Sequence, residues 1–116
     1  MRKTLIAGSV LSFVALAVFA VAAFAEVKGE KITVKGEPVD LWCYMSAGAK
    51  GADHKACAVM CAKSGLPIGI LDEKGNVYLA MGAKNMQNAK DLLLDKMAET
   101  VEVTGVLVNK GGMKTI

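Results

Sequence analysis

The sequence predicts a small domain of the α+β, mostly β class. The expected architecture is an OB-like barrel of five strands, with one helix inserted after strand 1 and a second helix between strands 3 and 4. Short alternating apolar and polar stretches recur between turn-rich segments, and two other stretches have helical spacing. Their order is strand, helix, two strands, helix, two strands. A small α+β sandwich is the alternative, whereas the lack of regular strand–helix repeats argues against a doubly wound sheet.

Residues 1–25 are expected to be a leader and not part of this domain. Arg2 and Lys3 precede an uncharged apolar run that ends in Ala23-Phe24-Ala25, a small-x-small pattern typical of signal peptidase sites. Cleavage after Ala25 is the preferred interpretation. An uncleaved inner-membrane anchor is the alternative, because about twenty apolar residues can span a bilayer. In both cases residues 26–116 form one domain that is exported to the periplasm or the extracellular space, with membrane contact only through residues 1–25.

The first strand is predicted over residues 30–45, with a bend near Gly36 and Pro38. From Val39 onward the side chains alternate, which places Cys43 on the inward face of the strand. Asp40 falls on the opposite face, where it is interpreted as an ordinary solvated strand residue.

A loop of small residues follows at 46–52, and Asp53 is the predicted N-cap of a helix over 54–64. Gly65 stands where a left-handed residue ends a helix, and Pro67 follows it.

The second half predicts two hairpins around a helix. "PIGIL" and "NVYLAM" flank the turn-rich "DEKGN", which is typical of a hairpin. A helix is predicted over 85–98, where Met86, Ala89, Leu93 and Met97 recur at helical spacing. "TVEVTGVLV", "NKGG" and "MKTI" then form the second hairpin.

The central feature is a group of three cysteines and the only histidine of the chain. On the predicted helix, His54, Cys57 and Cys61 fall within roughly a 60° arc, and the preceding strand can bring Cys43 to this stripe. Three thiolates and one imidazole are the ligand set of a tetrahedral site that holds one metal ion. Zn(II) is favoured, and Cu(I) comes next because thiolates are soft ligands.

Two other interpretations remain open. An exported protein meets oxidising conditions, and a disulfide from Cys43 to Cys57 or Cys61 would tie the strand to the helix. A bond between Cys57 and Cys61 would strain the helix, because the Cβ atoms there lie about 5–6 Å apart. The three cysteines could also pack as small apolar side chains, but His54 on the same stripe favours metal.

Composition and missing motifs exclude several functions. Of the 14 basic residues of the chain, 12 remain when Arg2 and Lys3 are set aside, and they nearly balance the 11 acidic residues, which gives no support for nucleic acid as a partner. There is no C-x-x-C or C-x-x-C-H motif and no phosphate-binding glycine loop. Because no catalytic constellation is evident, a non-enzymatic role is favoured.

The segment "GEPVDLWCYMSAGAKGADHKACAVMCAKSGLPIGIL" resembles small, largely uncharacterised exported bacterial proteins. These proteins carry G-x-x-V-D-x-x-C-Y, then H-x-x-C-A-x-x-C or H-x-x-C-A-x-x-x-C, then G-x-P-x-G. The likeness extends more weakly over "GNVYLAMG" and "VEVTGVLVNKGGMKTI". It implies an exported domain in which Cys43, His54, Cys57 and Cys61 belong together, and it implies no activity.

The sequence therefore favours an exported metal-binding protein with a Cys₃His site formed by Cys43, His54, Cys57 and Cys61. The alternative is a periplasmic thiol–disulfide redox protein, or a disulfide-stapled interaction module of an envelope complex. In the last case the partner would be another envelope protein.

Overall fold

A computed structural model describes residues 27–116, which form five strands and three α-helices. Two short 3₁₀ turns, at Ala52–His54 and Leu94–Lys96, adjoin the second and third helices. The elements in chain order are β1 (Glu30–Asp40), α1 (Leu41–Ala47), α2 (Lys55–Lys63), β2 (Ile68–Asp72), β3 (Val77–Leu79), α3 (Lys90–Leu93), β4 (Val101–Lys110) and β5 (Met113–Thr115).

The five strands form one sheet that closes on itself in the order β1–β2–β3–β5–β4. β1 closes the ring because it is long enough to pair with two strands. Its first part pairs antiparallel with β4 as far as Gly36, and its last part pairs antiparallel with β2 from Gly36 to Asp40. β3 and β5 meet in parallel at Leu79 and Thr115. The prediction of an α+β domain with five strands is confirmed.

Both predicted hairpins are present. The β2–β3 turn is fixed by the carboxylate of Asp72, which accepts hydrogen bonds from the backbone N–H groups of Lys74 and Asn76 and from the Asn76 side chain. In such an Asx turn the side chain accepts hydrogen bonds from backbone N–H groups that have no partner on the neighbouring strand. The β4–β5 hairpin turns through the two glycines of "NKGG".

The buried apolar residues form two clusters, one inside the sheet and one beneath α2. Inside the sheet lie Val34, Ile70, Ala80, Ala89 and Ile116. Beneath α2, Ala58 and Ala62 pack against Ile68 and Met97. Because alanine lets a helix approach its neighbour closely, the second cluster fixes α2 directly against the sheet.

The prediction of one strand over 30–45 is wrong, because the strand ends at Asp40 and α1 begins at Leu41. The Asp40 side chain accepts a hydrogen bond from the backbone N–H of Cys43 and so caps α1. Gly48, in the left-handed region at φ 67°, ends the helix and donates its N–H to the Tyr44 carbonyl. Two helices, not one, therefore lie between β1 and β2.

The other helix boundaries also differ from the prediction. Asp53 is not an N-cap: it lies within a 3₁₀ turn, and α2 starts only at Lys55. The predicted left-handed residue at Gly65 is confirmed, with φ 97°.

The helix predicted over 85–98 is reduced to α3 and the 3₁₀ turn after it. Met86 and Ala98 have positive φ, which interrupts a helix at either end. The Ala98 N–H instead donates to the Pro38 carbonyl, so this end of the segment is held by β1.

The predicted leader at 1–25 lies outside the described residues. Within residues 27–116, no helix is long and apolar enough to cross a membrane.

Candidate metal centre

The candidate site lies between α1 and α2, outside the sheet. α1 carries Cys43 in its first turn, and α2 carries Cys57 and Cys61. His54 ends the 3₁₀ turn that leads into α2. The prediction that Cys43 reaches the site from the inward face of a strand is wrong, because Cys43 is a helical residue.

The start of α1 is held against the sheet by backbone pairing. Asp40 is the last residue of β1 that pairs with β2, opposite Ile68. The N–H of Leu41 donates to the Pro67 carbonyl at 2.9 Å, immediately before β2 begins. Cys43 therefore starts from a fixed point on the sheet, although α1 has no buried residue of its own.

The structure brings the four predicted residues together. The ligand atoms of Cys43, His54 and Cys57 all lie within 4.8 Å of one another. Ligand atoms of Asp40, Cys43 and Cys61 form a second group within the same limit. Because Cys43 belongs to both groups, Cys43, His54, Cys57 and Cys61 lie close enough to hold a metal ion.

Asp40 is the site residue that the sequence interpretation missed. The solvated strand position expected for it is wrong, because Asp40 is 0% exposed. One carboxylate oxygen accepts the backbone N–H of Cys43 and the other contacts His54 Nε2, both at 2.9 Å. A signal for its capping role was present: Asp40 precedes seven residues without glycine or proline, and Gly48 follows them.

The carboxyl group of Asp40 is ionised at neutral pH despite its burial. Burial raises its pKa, but the hydrogen bonds from the Cys43 backbone and from His54 outweigh that effect and hold the pKa below its ordinary value. The site therefore contains a fixed negative charge beside its thiols.

The pKa values of two of the thiols shift in the opposite direction to that of Asp40. Burial, and then the negative charge of Asp40, raise the pKa of Cys43 to about 12. The same two causes raise the pKa of Cys61. Both groups are thus protonated at neutral pH and are weak nucleophiles, since the thiolate is the reactive form. A cation bound among them reverses this preference, because a coordinated thiol is deprotonated.

The cluster is shallow and reachable from solvent. Cys57 is exposed, while Cys43 and Cys61 are partly buried, and all three are free thiols. Three sulfur atoms and one imidazole nitrogen form a soft, mixed donor set for a metal ion. The arrangement can bind one ion between two helices.

No protein family model matches the chain, and no curated protein or solved structure matches it either.

Proposed function

We propose that this protein is an exported metal-binding protein that holds one ion through Cys43, His54, Cys57 and Cys61. The observation that carries the proposal is the position of Cys43 on α1: its sulfur lies within 4.8 Å of ligand atoms of His54 and Cys57 in one group, and of Cys61 and Asp40 in a second group. Zn(II) is the preferred ion, and Cu(I) is second.

The ion would join α1 to α2 without being needed inside the sheet. The cluster within the sheet is built from apolar residues alone. Ala58 and Ala62 already hold α2 against Ile68. α1, which lacks buried residues, would gain most from the bond between the ion and Cys43. The proposed role is therefore to hold an ion at the surface of a preformed domain.

The proposal includes an OB-like fold for residues 26–116 and export directed by residues 1–25. The strand order, the parallel β3–β5 contact and the helical segment between β3 and β4 support an OB-like barrel. The apolar run and the Ala23-Phe24-Ala25 pattern support export, as does the resemblance to exported bacterial proteins. N-terminal sequencing of the exported form tests cleavage after Ala25; a start at Met1 would favour an anchor.

Metal content of the full chain tests the central proposal. The gene product is expressed in an exporting host and purified without chelators, and elemental analysis is expected to give one zinc per chain. Cys43→Ser, Cys57→Ser and Cys61→Ser should each lower the zinc content. Ala56→Ser is the matched control, because it places the same hydroxyl on the exposed side of α2 beside Cys57. Wild-type protein free of zinc and copper would contradict the proposal.

A second candidate is a thiol–disulfide redox protein, and one specific observation favours it. Cys43 Sγ lies within 4.8 Å of both Cys57 Sγ and Cys61 Sγ, so either pair could close with a small movement. Two thiols would give up two protons and two electrons to the disulfide of another envelope protein, which becomes a dithiol. Intact mass measured without reductant distinguishes the candidates: a disulfide lowers the mass by about two hydrogens, whereas the metal-binding form keeps all three thiols.

A further inference from the structure

The carboxylate of Asp40 joins the two helices of the site. Its Oδ1 accepts the backbone N–H of Cys43, and its Oδ2 contacts His54 Nε2, each at 2.9 Å. The Asp40 side chain is completely buried, whereas 19% of the His54 side chain is exposed. The buried Asp40 carboxylate therefore fixes the orientation of the imidazole by contacting the edge of the ring that faces the protein.

This contact determines which nitrogen of His54 is free. An ionised carboxylate can only accept hydrogen bonds, so Nε2 must carry the proton that it donates to Asp40. In a neutral imidazole the lone pair then lies on Nδ1. Nδ1 is then the nitrogen left to bind an ion.

We propose that Asp40 is a positioning residue of the ion site: it holds His54 in the Nε2-protonated form with Nδ1 as the ligand. By capping α1 it also places Cys43 beside that ligand. This assignment rests on the proposed metal-binding function. Asp40 acts through its two neighbours and is not itself a ligand, a combination that commonly tunes metal sites.

Asp40→Asn separates the two roles of the residue. The asparagine oxygen can still accept the Cys43 N–H, because asparagine caps helices as well as aspartate does. Its NH₂ group then faces Nε2, and two donors cannot bond. The mutation therefore disfavours the Nδ1 ligand form of His54 while it keeps α1 capped.

The experiment measures Zn(II) affinity by chelator competition and the visible spectrum of the Co(II) form, on the full chain. Asp40→Asn should weaken Zn(II) binding by about 10- to 100-fold and change the Co(II) absorption bands. Asp72→Asn is the matched control, since Asp72 is also a hydrogen-bonded carboxylate but pairs with Gly36, four residues along β1 from Asp40, which is roughly 13 Å away. It should leave both readouts unchanged.

Asp40→Ser gives an independent variant in case the asparagine distorts the fold. Serine also caps α1, but its side chain is too short to reach His54 as well. It should reproduce the loss of affinity and the spectral change seen with Asp40→Asn, while far-ultraviolet circular dichroism stays that of the wild type. Wild-type affinity and an unchanged spectrum in the folded Asp40→Ser variant would overturn the assignment.

A double-mutant cycle with His54→Ala tests whether Asp40 acts through the imidazole. If it does, Asp40→Asn changes affinity by less than about twofold once His54 is absent. Equal losses in both backgrounds would overturn the assignment, because Asp40 would then act independently of His54.

The same series separates failure of this assignment from failure of the proposed function. Wild-type protein that binds neither Zn(II) nor Co(II) overturns both. Metal binding that Cys57→Ser weakens and that Asp40→Asn leaves intact overturns only the role of Asp40.

Discussion

Met97 fixes helix α2 to the sheet, and its truncation should be costly. The side chain is 0% exposed and packs with Ala58, Ala62 and Ile68. Met97→Ala removes three heavy atoms beyond Cβ, worth about 0.8 kcal/mol each in lost burial, or about 2.4 kcal/mol. The cavity left behind adds to this, so we expect a loss of about 3 kcal/mol in the free energy of unfolding.

Urea denaturation of the metal-free protein, in the presence of a chelator, measures this loss without any contribution of bound metal to the free energy of unfolding. The transition midpoint should fall while the m-value stays the same, and the melting temperature should drop by roughly 12–24 °C. Met60→Ala is the control, since Met60 lies on α2 but is 70% exposed; it should change the free energy by less than about 0.5 kcal/mol. A Met97→Ala protein as stable as this control would refute the packing of α2 described above.

Three further predictions concern the metal, the β2–β3 turn and the end of α2. Metal affinity, measured by competition between about pH 6 and pH 8, should fall about 100-fold per pH unit on acidification, because the two thiols of Cys43 and Cys61 must each lose a proton to bind; pH-independent affinity would contradict this. Asp72→Ala should cost about 1–2 kcal/mol in urea denaturation, because it removes three hydrogen bonds in the turn. Burial raises the pKa of Asp72, but its bonds to Asn76 and Lys74 outweigh this and keep the pKa below its ordinary value. The stability that Asp72 contributes is therefore complete above about pH 4 and is lost as the pH falls through its lower folded-state pKa. An Asp72→Ala protein whose free energy of unfolding falls with pH below about pH 4 as steeply as that of the wild type would refute that role. Gly65→Ala should cost about 1–2 kcal/mol in thermal unfolding, because φ at Gly65 is 97°, and a neutral result would mean that this residue is not left-handed.

The strands were predictable because their signals are local. The β2–β3 hairpin follows from a turn-rich segment between two apolar runs, and Asp72 and Asn76 supply the turn's hydrogen bonds within five residues of chain. The β4–β5 hairpin is equally local. The closing pairing between β1 and β4 joins residues far apart in the chain, such as Thr33 and Thr104, so no local pattern could fix its register.

Helix α1 was mistaken for a strand because it has no buried stripe. Val39, Leu41, Cys43 and Met45 alternate as a strand would, yet only Val39 lies in the strand and Met45 is 74% exposed. The helix is specified by its ends, Asp40 and Gly48, and not by its apolar face. Met97 shows a second error: helical spacing placed it within the helix predicted over 85–98, but its backbone is extended with ψ 135°.

The site was partly predictable for the same physical reason. The spacing of His54, Cys57 and Cys61 places them together whenever the segment is helical, and that much follows from local geometry. The burial of Asp40 does not, because it depends on the 3₁₀ turn that brings His54 back to the end of β1, fourteen residues away. Asp40 contacts His54 only because the tertiary fold brings the two residues together, so the sequence pattern around Asp40 does not indicate this contact.

X-ray absorption at the metal edge of the full-length protein, purified as exported, tests the central claim most directly. We expect an ion with three sulfur neighbours at about 2.3 Å and one nitrogen at about 2.0–2.1 Å. Loss of one sulfur neighbour in Cys43→Ser should follow. A protein without metal, or an ion surrounded only by nitrogen and oxygen, would contradict it.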